Sequence, residues 1–166
     1  GRGGAWISTF HATCARILRR DIEALGTHTR DFTIYDTHDK NQLVKGLVKD
    51  AGFDTTRFRP AAVAGWISDL KASRFKRDDP LDEVGGGIED EVLKRVYDKY
   101  VDAMRANNAL DFDDLLLVTL QLFEEHPGVR DAYASRFRHV LVDEYQDTNH
   151  VQYLLVRHLS LIHISE

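Results

Sequence analysis

The run from residue 139 to residue 155 constrains the fold of this chain most, because acidic side chains follow an apolar triplet without a gap. Residues 140–142, Val-Leu-Val, are typical of a short strand buried inside a parallel sheet. Asp143 and Glu144 would leave that strand at its carboxyl end, the edge at which open α/β sheets bind ligands. One carboxylate there suits a hard cation and the other a proton acceptor. The pattern predicts a site for Mg²⁺ and phosphoryl transfer, with a cap for a helix at 151–159 as the alternative.

Length and composition indicate a chain with one sizeable core and no membrane segment. The 166 residues are 43% hydrophobic, and no apolar run approaches the ~20 residues that a membrane helix needs. No secretory leader is recognisable at the start, and the single cysteine, Cys14, excludes an internal disulfide framework. A reducing, cytoplasmic location is expected. Cys14 lies on the apolar side of a predicted helix, so it is interpreted as a small core residue, with a catalytic nucleophile as the alternative.

Charge is distributed unevenly along the chain, although the net charge of −5 argues against a general polyanion binder. Six basic residues and one acid lie between residues 57 and 77, and an acidic stretch follows. Such local basic density can neutralise phosphate groups, but a solvated surface is the alternative. The cations that cluster most tightly are Lys71, Arg74, Lys76 and Arg77.

Hydrophobic periodicity divides the chain into a mostly helical middle and two predicted strands. The strands are expected at residues 5–10 and 140–142. The main helices are expected at residues 11–25, 40–51, 61–72, 88–107 and 112–125, with a shorter one up to residue 137. Asp36 or Thr37 is expected to cap the second of these helices and Asp111 the fifth.

Three motifs in order resemble the superfamily 1 DNA helicases of the UvrD, PcrA and Rep group. The first is TFH at residues 9–11 with the helix after it, the second is LDFDDL at residues 110–115, and the third is DEYQDT at residues 143–148. The third motif resembles motif II of that family. Together the three matches cover residues 5 to 159.

The resemblance implies an α/β fold, namely an incomplete RecA-like P-loop NTPase motor domain with a large all-helical insertion. Residues 1–25 and 110–159 would belong to the motor domain, and residues 26–109 would form the insertion. Residues 160–166 do not fit the family pattern and are set aside as a possible artefact.

The resemblance also implies roles for individual residues. Asp143 would hold Mg²⁺ on ATP, and Glu144 would orient the attacking water. The remaining motif II residues, Gln146 and Asp147, would couple the nucleotide site to the DNA site. Single-stranded DNA would be contacted by Thr9, Phe10 and His11, and the DNA backbone by Lys71, Arg74, Lys76 and Arg77. For Phe10 the alternative from composition alone is an ordinary core side chain.

No GxxxxGK loop followed by serine or threonine occurs in the chain, so the usual phosphate cradle is absent from it. The resemblance therefore implies an internal segment of an ATP-dependent helicase that moves 3′ to 5′ on single-stranded DNA, in repair or replication. Its partners would be single-stranded DNA, the adjacent duplex and the remainder of the helicase chain. Two alternatives remain open, the motor segment of a helicase-nuclease and a non-catalytic helical DNA-binding module.

Overall fold

The computed structural model describes residues 2–73 and 86–142, which are mostly helical and include one two-stranded parallel sheet. The elements in chain order are α1 (Arg2–Asp21), a short 3-10 helix (Ile22–Leu25), β1 (Thr33–Tyr35), α2 (Thr37–Asp50), α3 (Pro60–Ser73), α4 (Ile88–Ala106), β2 (Ala109–Asp111), α5 (Phe112–Glu125) and α6 (Pro127–Val142). Within these described ranges, no helix is both long enough and apolar enough to span a membrane.

The predicted helices from α2 to α5 are confirmed, with ends that differ by at most a few residues. Asp36 caps α2 through a reciprocal capping box: its carboxylate accepts from the Asp39 amide at 2.8 Å, and its own amide donates to the Asp39 carboxylate at 3.1 Å. Gly52, with φ of +84°, follows the end of α2 in the left-handed conformation that favours glycine.

Both predicted strands, at residues 5–10 and 140–142, are wrong. The first stretch is helical within α1 and the second is helical within α6. A strand must pair its amides and carbonyls with a neighbouring strand, whereas a helix pairs them within one segment. The only sheet in the described part of the chain joins β1 and β2, and neither stretch belongs to it.

The sheet that does form was not predicted: β1 lies within residues 26–109, which were expected to be all-helical, and β2 crosses the expected boundary at residue 110. β1 and β2 run parallel, and Thr33, Ile34 and Tyr35 pair with Ala109, Leu110 and Asp111. Asn108 precedes β2 with φ of +48°, a left-handed conformation that asparagine tolerates better than most residues, and its carbonyl accepts from the Thr33 amide at 2.9 Å. The crossover between the two strands consists of α2, α3 and α4.

The chain divides into two compact units, and the first runs from Thr33 to Asp113. Its core joins the buried faces of α2, α3 and α4 beneath β2 and the α2–α3 connection. The buried members are Val44, Val48, Phe58, Val63, Ala64, Ile67, Leu70, Val92, Val96, Tyr97, Tyr100, Met104 and Ala109. We call this body the helical unit.

The second compact unit combines the residues before Thr33 with those after Asp113. Its described core is rich in leucine and phenylalanine, and it comprises Phe10, Cys14, Ile17, Leu18, Ile22, Phe32, Leu115, Leu116, Leu117, Leu120, Leu122, Phe123, Tyr133 and Ala134. Arg19 contacts residues 30–32, the last residues of this unit before β1. Its guanidinium donates to the carbonyls of Arg30 and Phe32 and lies 3.8 Å from the Phe32 ring centroid.

Candidate functional site

The acidic and amide residues of the predicted nucleotide site, Asp143, Glu144, Gln146 and Asp147, lie outside the described residues. Three of the predicted DNA contacts, Arg74, Lys76 and Arg77, lie outside them as well. Among the residues that are described, no group of three or more His, Cys, Asp or Glu side chains could hold a metal ion. The roles assigned to these residues stay predictions from the sequence.

The TFH residues 9–11 lie on α1. The Phe10 ring is fully buried in its unit, and His11 is half-buried. The burial of Phe10 supports its interpretation as a core residue, because a ring that stacks on a nucleobase needs an accessible face. The helix thus orients Phe10 inward and leaves part of His11 accessible.

A buried carboxylate, Asp111, is the best-defined polar feature of the helical unit. Its Oδ2 accepts from Lys71 Nζ at 2.9 Å and from the Tyr100 hydroxyl at 2.6 Å. Lys40 Nζ lies 3.5 Å from the same oxygen. The side chain of Asp111 is only 2% exposed, and those of Lys71 and Lys40 are 9% and 10% exposed. Four elements, α2, α3, α4 and β2, therefore meet at one oxygen atom.

The charges in this cluster compensate one another. Burial on its own disfavours the ionised carboxylate and raises the pKa of Asp111, but the nearby ammonium groups of Lys71 and Lys40 and the Tyr100 hydroxyl outweigh burial. The pKa of Asp111 is therefore held well below its usual range. Both ammonium groups also lie over the Tyr100 ring, at 4.9 and 5.7 Å from its centroid.

A second carboxylate, Asp113, extends the cluster towards solvent. Its Oδ2 accepts from Lys40 Nζ at 3.2 Å and from the Ser68 hydroxyl at 2.5 Å, and its side chain is 42% exposed. Lys40 also donates to Ser68 at 2.7 Å. We define the ion-pair cluster as these two carboxylates with their partners: Asp111, Asp113, Lys40, Lys71, Ser68 and Tyr100.

The predicted contact of Lys71 with DNA needs correction. Lys71 belongs to the ion-pair cluster and is buried, so its ammonium neutralises Asp111 and is not presented to a phosphate group. The sequence pattern placed Lys71 and Arg74 on the same face of a predicted helix. It could not show whether Lys71 points to solvent or into the core. Asp111, expected only as a helix cap, proves to be the partner of Lys71.

Lys40, Ser68 and Tyr100 were missed by sequence reasoning. A signal for Lys40 exists in its spacing, because Lys40, Val44 and Val48 repeat every four residues along α2 and all three are buried. A lysine at an apolar position requires a buried partner. The sequence does not say which carboxylate, more than seventy residues away, supplies it.

A pocket of about 300 Å³ lies beside the ion-pair cluster, within the helical unit. Its lining comes from the start of α2, one face of α3 and the junction of β2 with α5; the lining residues are Tyr35, Asp36, Thr37, Lys40, Asn41, Ala61, Ala64, Gly65, Ser68, Asp111, Phe112 and Asp113. Lys40, Ser68 and Asp113 already bond one another there, and Asp36 is engaged in the capping box. We therefore assign the pocket no ligand.

Cys14 is buried in the core of its unit, as predicted. Burial raises the pKa of the Cys14 thiol to about 12, and a hydrogen bond with Thr119 only partly offsets that effect. The thiol is therefore protonated at neutral pH, which excludes a reactive thiolate at this position.

Comparison with known sequences identifies the class of protein. Residues 2–164 match the UvrD/REP helicase N-terminal domain, and that range includes residues 160–164, which the sequence pattern had set apart from the family. This chain belongs to the UvrD/REP helicase family.

Individual relatives carry consistent names. The chain is 42% identical over 160 residues to the ATP-dependent DNA helicase PcrA of Bacillus subtilis (strain 168), covering 96% of this chain and 21% of the relative. It is 44% identical over 159 residues to the ATP-dependent DNA helicase UvrD1 of Mycobacterium tuberculosis (strain H37Rv), covering 93% of this chain and 20% of the relative. The chain thus spans about a fifth of the length of these relatives.

The first prediction concerns the buried carboxylate. Asp111→Asn should lower the free energy of unfolding of the helical unit by about 3–5 kcal/mol, because Lys71 would remain buried without its counter-charge. Trp66, half-buried against the core of this unit, reports unfolding by fluorescence in urea once Trp6 is replaced by phenylalanine. The matched control Asp113→Asn removes the half-exposed carboxylate and should cost only about 0.5–1.5 kcal/mol. Equal losses for the two variants would contradict the role of Asp111.

A second prediction follows from the depressed pKa of Asp111. Since the folded state binds this proton less tightly than the unfolded state, the stabilisation is complete above the unfolded pKa and is lost as pH falls. The stability difference between the wild type and Asp111→Asn should be constant from about pH 8 to about pH 5 and should shrink below about pH 4. Urea titrations at each pH measure it, and a difference that shrinks between pH 8 and pH 6 would contradict this assignment.

Proposed function

We propose that this chain is part of an ATP-dependent DNA helicase that moves 3′ to 5′ along single-stranded DNA. The observation that carries the proposal is the match to the UvrD/REP helicase N-terminal domain over residues 2–164. The names of relatives that are 42–44% identical over nearly the whole chain support it. The direction of movement and a role in repair or replication are proposed from the sequence resemblance. A cytoplasmic location is proposed as well.

The nucleotide chemistry is assigned to the adjacent carboxylates of motif II. Asp143 would hold Mg²⁺, which neutralises charge on the phosphates of ATP when bound. Glu144 would accept the proton of the attacking water. Two adjacent carboxylates allow two separate roles, because a carboxylate that binds a cation becomes a weaker proton acceptor.

DNA contacts are assigned to two regions. Thr9 and His11 would line the single-stranded DNA track, whereas Phe10 is buried and would serve as a core residue. Three basic residues that follow α3 in the sequence would contact the DNA backbone independently of base sequence: Arg74, Lys76 and Arg77. Lys71 is no longer included in this group. Gln146 and Asp147 would couple the nucleotide and DNA sites.

The helical unit is proposed to be the insertion within a RecA-like motor domain. Thr33 is the first residue of β1, and Asp113 lies two residues beyond the end of β2. Because β1 and β2 are parallel, the chain enters the unit at one end of this strand pair and leaves at the other end, but the strands are so short that the two ends are only about 10 Å apart. Adjacent ends are what an inserted domain requires, because the host fold is then interrupted at only one place. The unit also contains its own hydrophobic core.

The third prediction tests the nucleotide site in the complete helicase chain. Glu144→Gln should keep ATP binding and lower the rate of hydrolysis by about 10²–10⁴-fold, because the amide preserves shape but cannot accept a proton. Glu125→Gln, at the end of α5, provides a control of the same chemistry and should hydrolyse ATP at the wild-type rate. Near-normal turnover in Glu144→Gln would rule out this assignment.

A fourth prediction tests direction and substrate. The complete chain should unwind a duplex with a 3′ single-stranded tail in an ATP-dependent reaction and should leave a blunt duplex intact. A duplex of the same sequence with a 5′ tail is the matched substrate, and strand separation is followed by fluorescence. Preferential unwinding from the 5′ tail would contradict the proposed direction, and no unwinding of any tailed duplex would contradict the proposed activity.

A further inference from the structure

Two phenylalanines at the α2–α3 connection each carry an arginine on their rings. Arg95 Cζ lies 5.6 Å from the Phe53 ring centroid, and Arg57 Cζ lies 5.1 Å from that of Phe58. The two rings contact each other edge to face, with centroids 5.7 Å apart and planes at 75°. We call these four residues the arginine platform.

The arginine platform consists of two phenylalanine rings held by the core and two exposed arginine side chains. Phe58 is 6% exposed and belongs to the core of the helical unit, and Phe53 packs against that core. The Arg95 side chain is 58% exposed, and Arg57 is exposed as well. A guanidinium held within cation–π distance of a ring can still present N–H groups to solvent, and the fork of these groups matches the geometry of a phosphate group. The rings thus orient two cations towards solvent at low conformational cost.

Acidic neighbours offset part of this charge. Glu91 pairs with Arg95 at 3.1 Å, but both side chains are half or more exposed, so the pair contributes little and can exchange for another anion. The Asp54 carboxylate accepts from the amide and hydroxyl of Thr56, at 2.8 and 2.7 Å. The Thr56 hydrogen bonds lower the pKa of Asp54, and Asp54 also accepts from the Arg57 amide and interacts with the Arg57 charge, which lower it further. Arg59, exposed and two residues beyond Arg57, adds a third cation to the same connection.

We propose that the arginine platform binds the phosphate backbone of DNA. The inference rests on the proposed helicase function. Arg57 already belongs to the basic run at residues 57–77, and the platform adds Arg95 and the two phenylalanine rings, which the sequence pattern did not single out. The nearby residue Lys71 is unsuited to this role because it neutralises Asp111 inside the unit. Contacts of this kind would be independent of base sequence and would weaken as salt concentration rises.

The test is a salt titration of DNA affinity in the complete helicase chain. The double variant Arg57→Gln/Arg95→Gln should reduce the slope of log affinity against log salt by about 1.4 on single-stranded oligonucleotides or about 1.8 on a blunt duplex, two phosphate contacts having been lost. The substrate whose slope falls identifies the form of DNA that the platform holds. The control Lys45→Gln/Arg105→Gln removes two other exposed cations of the helical unit and should leave both slopes near the wild type. Equal slope changes for the two double variants would overturn the proposal, because the effect would then be general electrostatics.

Two variants that preserve charge examine the rings themselves. Phe53→Leu keeps apolar bulk but removes the face under Arg95, and Arg57→Lys/Arg95→Lys keeps both charges but loses the planar fork. Each should weaken DNA affinity about two- to five-fold with the salt slope unchanged. Wild-type affinity in both variants would overturn the role of stacking.

The proposed function and the platform can fail separately. DNA-free ATP hydrolysis should be unchanged in every platform variant. Urea unfolding followed by Trp66 fluorescence verifies that the helical unit of each variant is folded. If the wild type shows DNA-stimulated hydrolysis while Arg57→Gln/Arg95→Gln keeps its affinity and slope, only the platform is refuted. If the wild type neither binds DNA nor responds to it, the helicase proposal and the platform fail together.

Discussion

The buried ionised carboxylate of Asp111 is the interaction on which the helical unit depends. A charge at 2% exposure is tolerated only where counter-charges and hydrogen bonds replace water, and here Lys71, Lys40 and Tyr100 provide them. Because these partners come from three different helices, one oxygen atom fixes α2, α3 and α4 against β2. Apolar packing supplies the bulk of the core, but it does not by itself specify which helices meet at this point.

This arrangement has a consequence for where DNA can be held. Lysines that neutralise Asp111 are unavailable to an external anion, so the cations able to meet phosphate groups are those on the surface. The arginine platform is such a surface, and its rings belong to the same core that the ion-pair cluster braces. Internal charges thus stabilise the unit, while the exposed arginines remain accessible for the proposed DNA contact.

The sequence predicted the helices well and the strands badly, for a physical reason. The helices α2 to α5 carry local information in their apolar periodicity and in the Asp36 cap, and their ends matched the prediction closely. β1 and β2 have only three residues each and exist because they pair with each other across the crossover. The apolar stretches at 5–10 and 140–142 have the pattern of strands but are helical, and within the described residues neither pairs with a strand.

In the candidate site, too, local sequence patterns were predictive and long-range contacts were not. The spacing of Lys40 with Val44 and Val48 revealed a lysine on an apolar face, but only the fold shows that Asp111 and Asp113 are its partners. Motif II was recognised from residues 143–148 alone, whereas the arginine platform depends on contacts between Arg95 and Phe53 that no local pattern encodes.

A double-mutant cycle between Asp111 and Lys71 tests the central claim most directly. Asp111→Asn and Lys71→Gln are compared singly and together by urea unfolding, with Trp66 as the reporter. If the pair holds the helical unit together, the double variant should be less destabilised than the sum of the single variants, with a coupling of about 2–3 kcal/mol. Additive losses, with a coupling near zero, would contradict the account.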